Sequence, residues 1–148
     1  MEFAQRFAIT DTCILVRDLD ASIAFYRDKL GFVLKHRAPG FADFTGAGHT
    51  LALWDRAHIA GHTGAPLDLH APASLTIAIK LPDVASLDAA YEELAAKGVA
   101  FVNPPANYPW NARGVYFTGP DGEIWELYAW LAGGAPGKIE ATTEQGAA

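Results

Sequence analysis

The feature that most constrains this chain is an internal repeat. The stretch DTCILVRDLDASIAFYRDKLGFVLKH, from Asp11, and the stretch TIAIKLPDVASLDAAYEELAAKGVAFV, from Thr76, follow one plan: an alternating strand, an acidic turn, an amphipathic helix, a glycine and a further strand. Asp11 and Thr76 are 65 positions apart (76 − 11), and so are the turn residues Asp18 and Asp83 (83 − 18), so the opening strands align without a gap. In the first helix Ile23, Tyr26 and Leu30 fall at helical spacing before Gly31; in the second, Leu87, Tyr91 and Leu94 do so before Gly98. Strand-like segments then follow each helix at about 31–38, 40–46 and 49–55, and at about 99–103, 112–118 and 123–130, with GPDGE as a turn signal between the last two.

A repeat that cannot bury its apolar face alone must pack against its neighbour. The expected fold is therefore α+β, with two tandem βαβββ modules and the helices packed on one side of the sheets. Residues 1–148 form a single domain, with modules at 8–57 and 74–130. A linker loop rich in Gly, Pro and His runs over 58–73, and a flexible tail rich in Gly, Ala and Thr over 131–148.

Composition narrows the partners. With 148 residues, 51% hydrophobic and 19% charged, the chain is long enough for one sizeable core. A formal charge of −6 argues against nucleic acid and anionic membrane surfaces, which demand basic patches. No apolar run reaches the length of a bilayer span, and the opening MEFAQRFAIT lacks the apolar core of a secretory signal. The single cysteine, Cys13, cannot form an internal disulfide and is expected to be a small buried core thiol. A cytoplasmic protein is expected.

Alternation along the strands sorts side chains onto two faces. Leu75, Ile77, Ile79 and Leu81 form a wholly apolar face, expected under the helices, as are Trp125 and Leu127. The opposite faces carry Asp11, Thr76, Glu126 and Tyr128, and their convergence would make a concave, partly polar surface with Tyr108 and Trp110 in the same half of the chain.

The motifs LVRDLDASIAFYRDKLGF, LPDVASLDAAYEELAAKGV and GPDGEIWEL, in that order over about residues 8–130, resemble the vicinal oxygen chelate superfamily, which includes glyoxalases, ring-cleaving dioxygenases and bleomycin-resistance proteins. The resemblance implies paired βαβββ modules around a cavity, usually in a homodimer. It also implies, in the enzymes, a divalent metal held from the first and last strand of each module. Carried over, those positions are Asp11, Thr76, Glu126 and a residue near Leu53 or Trp54. A metal needs three or four N, O or S donors, and this set supplies two carboxylates and a hydroxyl, so no metal and no other cofactor is expected. His49, His58, His62 and His70 do not repair the set: Gly61 and the surrounding Gly and Pro argue against a helix presenting His58 and His62 together.

The resemblance to metal-free drug-binding members, antibiotic-resistance proteins of the bleomycin type, then sets the functional expectation. The chain is read as a small-molecule binding protein that sequesters a hydrophobic or planar ligand in an aromatic cavity, and NYPWNARG (107–114) is similar to a segment of such binders. Trp54, Tyr108 and Trp110 would stack on the ligand, Arg113 would anchor an acidic or carbonyl group, and Asn111 would orient an amide, with Thr76 and Tyr128 on the same surface. The alternative is a metal-free isomerase, epimerase or cyclase in which Asp11 and Glu126 form an acid/base pair. A metal-dependent lyase or dioxygenase is the remaining possibility.

Overall fold

The computed structural model describes residues 2–46 and 48–134. A short helix, α1 (Phe3–Arg6), precedes the first module, which comprises β1 (Asp11–Val16), α2 (Leu19–Ala24) running on into a π-helical turn (Phe25–Lys29), β2 (Val33–Ala38), β3 (Phe41–Thr45) and β4 (Thr50–Asp55). After α3 (Arg56–Thr63) the second module comprises β5 (Thr76–Lys80), α4 (Val84–Ala96), β6 (Ala106–Tyr108), β7 (Ala112–Thr118) and β8 (Ile124–Trp130). Each module is one four-stranded sheet, ordered β1-β4-β3-β2 and β5-β8-β7-β6. In each, the first strand pairs parallel with the last, and the other pairings are antiparallel. A parallel partner requires a long crossover, which is why a helix follows the opening strand of each module. The two sheets are separate and do not close into a barrel.

The acidic turns are helix caps. Asp18 accepts from the Ala21 amide at 3.0 Å and Asp83 from the Ser86 amide at 2.7 Å, satisfying donors that the first helical turn leaves unpaired. Beyond the helices Gly31 and Gly98 both adopt positive φ, which ends the helix and returns the chain to the sheet.

Two elements differ from the sequence expectation. Residues 99–103 contribute an isolated bridge, Phe101 to Phe117, and the strand forms later, at Ala106–Tyr108. Pro104 and Pro105 intervene and cannot donate to a ladder. The linker is not wholly a loop, for its start is the helix α3. Asp55 caps that helix by accepting from the His58 amide at 2.9 Å, and Gly64 (φ +72°) ends it. Both caps outweigh the cost of Gly61 within the helix. His58 and His62 are consequently presented together, their rings stacked with centroids 4.1 Å apart. Of the expected tail, residues 135–148 lie outside those described.

The core lies on the helix side of both sheets. Ile14, Val16, Phe44 and Leu53 of the first module and Val115, Phe117, Trp125 and Leu127 of the second belong to one continuous buried cluster with Tyr26 and Leu87. Each large side chain there contributes roughly 1.5–3 kcal/mol of burial. Trp125 is the joint: its ring lies 5.8 Å from Tyr26 and 6.0 Å from Phe32, both in the other module. The β5 face is only partly covered, since Ile77 and Leu81 pack against the core while Ile79 is 40% exposed.

The turn after β7 ties the modules together through polar groups. Asp121, 2% exposed, accepts from the amide and guanidinium of Arg17 and from the Ser22 hydroxyl, with Arg56 3.6 Å away. Glu123, fully buried, accepts from the Tyr26 hydroxyl and from the Asp121 amide. No helix among the described residues is long and apolar enough to cross a membrane.

Candidate functional site

Hairpin pairing across the GPDGE turn builds the site. The β7–β8 register sets Tyr116 opposite Glu126 on the face away from the helices, while Trp125 and Leu127 are buried on the other, as alternation predicts. The Tyr116 hydroxyl donates to Glu126 Oε2. Desolvation, reinforced by the hydrogen bond to Glu126 and its charge, pushes the Tyr116 phenol well above its ordinary pKa, so it stays a donor at any physiological pH.

Aromatic rings continue outward from this pair. Tyr108 meets Tyr116 edge-to-face at 6.0 Å, and Trp110 stacks on Tyr108 at 4.8 Å with planes 10° apart. Trp110 remains 50% exposed. The Tyr108 ring lies over the strand at Gly114, where a Cβ would stand 3.4 Å from Tyr108 Cε2, at contact distance, so a side chain larger than a methyl would meet the ring. Beside the rings is a cleft of about 330 Å³ whose lining includes Val102, Pro104, Tyr108, Tyr116, Thr118 and Ile124. Tyr128, opposite Gly114 in the register, stands edge-on to Trp130 at 5.3 Å. One sheet face thus gathers stacking surfaces around a single carboxylate.

Other expected residues are placed elsewhere. Asp11 lies at the exposed start of β1, in the other sheet, and accepts from the Thr10 hydroxyl at 2.6 Å. No hydrogen bond joins it to Glu126 among the described residues; each carboxylate has its own neighbour. Thr76 is exposed at the start of β5. Trp54 belongs to the first sheet, edge-on to Phe41 at 5.8 Å, with its indole N–H donating to His58 Nδ1 at 3.0 Å. Arg113 shares the helix-side parity of Val115, donating to Asp88 of α4 at 2.8 Å and to the Asn107 side chain at 3.2 Å, and so works as a strut between sheet and helix. Asn111 is a turn residue (φ +62°) whose amide donates to the carbonyls of Ala132 and Gly134. Cys13 is exposed on the open face of β1 instead of buried in the core.

The register also corrects the fourth position implied for a metal. Ala78 of β5 pairs with Glu126, and Cys13, its counterpart in β1, pairs with Ala52. Ala52 is thus the equivalent of Glu126, while Leu53 is fully buried on the opposite side. Alanine brings no donor, and among the described residues no three His, Cys, Asp or Glu side chains are grouped to hold an ion. The residues present do not fit the metal that the resemblance implies.

Tyr116 was missed by sequence reasoning, although the signal is present. A hairpin closing on residues 119–122 pairs 116 with 126, and both then share a face.

Comparison with known proteins agrees with this architecture. A family model described as the Glyoxalase/Bleomycin resistance protein/Dioxygenase superfamily matches residues 8–127. The chain is 31% identical over 124 residues to the uncharacterized protein YraH of Bacillus subtilis (strain 168), covering 80% of this chain and 94% of that one. Its fold is similar to a crystal structure of a glyoxalase/bleomycin resistance protein/dioxygenase from Nocardioides, with TM-score 0.86, 50% identity and 90% of each chain covered. It is also similar to lactoylglutathione lyase from Agrobacterium tumefaciens, with TM-score 0.68, 25% identity, and 82% of this chain and 92% of that one covered.

Proposed function

This chain belongs to the Glyoxalase/Bleomycin resistance protein/Dioxygenase superfamily, and from that premise we propose that it binds and sequesters a flat, neutral or basic small molecule without a resident metal. The observation that carries this reading is the run Trp110–Tyr108–Tyr116 ending on Glu126. Stacked and edge-on rings offer a planar ligand extended contact, each aromatic pair adding roughly 0.5–1.5 kcal/mol beyond area burial. Glu126 supplies the charge that a basic group would meet. The half-exposed Trp110 leaves a wall to be completed, and a second copy of this chain supplies it in the proposed homodimer.

The test is a titration of tryptophan fluorescence with proflavine as a flat basic probe and with its neutral parent ring, acridine. Saturable quenching that weakens about tenfold in Trp110→Ala, as loss of one stacked pair together with its buried area requires, supports the reading. Binding unaffected by both Trp110→Ala and Glu126→Gln overturns it. Metal-free acid/base catalysis with Asp11 and Glu126 is separated by adding Asp11→Asn to Glu126→Gln, because a catalyst would convert its ligand and lose turnover in both.

A further inference from the structure

A second cavity, of about 340 Å³, lies on the open face of the first sheet, where the strap after α3 crosses β1. Its lining includes Cys13, Leu15, Leu67, Ala71 and Leu75, with Arg56 and Asp68 as the charged members. Both charges are committed to the protein. The Arg56 guanidinium, 4% exposed, donates to the carbonyls of Leu15, Asp68 and Ala71 and sits 3.6 Å from Asp121. The Asp68 carboxylate accepts from the amides of His70 and Ala71 at 2.8 and 3.1 Å. Ser74 adds one hydroxyl to the wall. These bonds hold the strap in place, so the cavity is formed before any ligand arrives.

We propose that this cavity is a ligand site distinct from the aromatic face, and that it takes an uncharged apolar ring system. An ionic ligand would find every charged group in the wall already paired, and would lose its hydration without compensation. Size points to the same class: an apolar cavity of about 150 Å³ holds benzene, and roughly twice that space suits fused or linked rings. The Cys13 thiol stands in the same wall. It lines the cavity and is exposed, so it is a local reporter of occupancy.

Because Cys13 is the chain's single cysteine, alkylation by N-ethylmaleimide reads this site alone. The probe is N-phenyl-1-naphthylamine, compared with its anionic relative 8-anilinonaphthalene-1-sulfonate. At ten times its Kd the neutral probe is expected to slow labelling about tenfold, by occupancy, and the anion to leave the rate unchanged. In Ala71→Leu, which fills the cavity, the neutral probe no longer protects. Should that variant fail to fold, Leu75→Ser makes the wall polar and gives the same loss. A labelling rate indifferent to the neutral probe, equal protection by both probes, or full protection retained in a folded variant overturns the proposal.

Discussion

Tyr116 and Glu126 face each other across two antiparallel strands, and the phenol hydroxyl donates to the carboxylate. The bond ties Glu126 to Tyr116, which lines the cleft, and leaves its second oxygen without a protein donor among the described residues. Tyr116→Phe is expected to cost about 1.5 kcal/mol of stability, at the low end for a hydrogen bond to a charged group because the pair is only half-buried. It should also weaken proflavine binding without abolishing it. The converse change, Glu126→Gln, removes the charge and the strong acceptor that raise the Tyr116 phenol, leaving desolvation as the chief cause. Ultraviolet titration of the tyrosines should then show one phenol ionising at lower pH than in the parent protein.

The link between modules should be more sensitive than the site. Asp121 is the counter-charge for Arg17 and for the buried Arg56. Asp121→Ala strands a buried guanidinium and is expected to cost about 3–5 kcal/mol, whereas Asp121→Asn keeps two acceptor lone pairs and should cost less. Urea denaturation measures both. If Asp121→Ala unfolds no more easily than a surface Asp→Ala variant such as Asp20→Ala, the turn is not what joins the modules.

Glu123 predicts a pH dependence with a definite sign. Burial pushes its carboxyl up, against the opposing bonds from Tyr26 and the Asp121 amide. A folded-state pKa above the unfolded value means that the folded protein binds the proton more tightly. This contribution to stability is fully present below the unfolded pKa and is lost as pH rises through the folded pKa. Glu123→Gln removes that dependence. Its stability relative to the parent should therefore improve as pH rises through the folded pKa, and the gap should close on acidification, as read from urea midpoints over about pH 4 to 8. The exposed cap Asp83, whose carboxyl is held low by the Ser86 hydroxyl and amide, acts in the opposite sense, its contribution being lost as pH falls.

What could be read from the sequence divides along physical lines. The repeat, the capping aspartates and the buried parity of Trp125 and Leu127 are local patterns, and they appear in the structure where alternation and helical spacing put them. Helix α3 escaped because Gly61 lowers its propensity, and the deciding groups are its caps, Asp55 and Gly64, with Arg56 anchored to β1 and the strap. Arg113 and Asn111 looked free for a ligand because sequence shows residue type without showing that Asp88, Ala132 and Gly134 already engage them. Glu126 was placed on the open face by parity, yet its partner depends on hairpin register and the sheet containing Asp11 on tertiary arrangement. Only the first of these follows from short-range rules. The same register moved the fourth family position from Leu53 or Trp54 to Ala52.

Gly114 offers the sharpest test of the aromatic run. It pairs with Tyr128 on one side and Ala106 on the other, and its φ is not in the left-handed region, so an added methyl meets no backbone penalty. The obstacle is contact alone: the new Cβ would lie 3.4 Å from Tyr108 Cε2 and 3.6 Å from the Leu127 carbonyl oxygen. Alanine in a strand otherwise gains up to about 1 kcal/mol over glycine through backbone entropy. Gly114→Ala should therefore leave stability within about 1 kcal/mol of the parent, while a larger Gly114→Val pushes the Tyr108 ring aside and carries Trp110 with it. Because Trp110 stacks on Tyr108 and not on the strand itself, the displacement should appear as a changed near-ultraviolet dichroism and weaker proflavine quenching in Val, with far-ultraviolet dichroism unchanged. Retention of both signals in a folded Gly114→Val protein would mean that the stack does not depend on the space this glycine leaves.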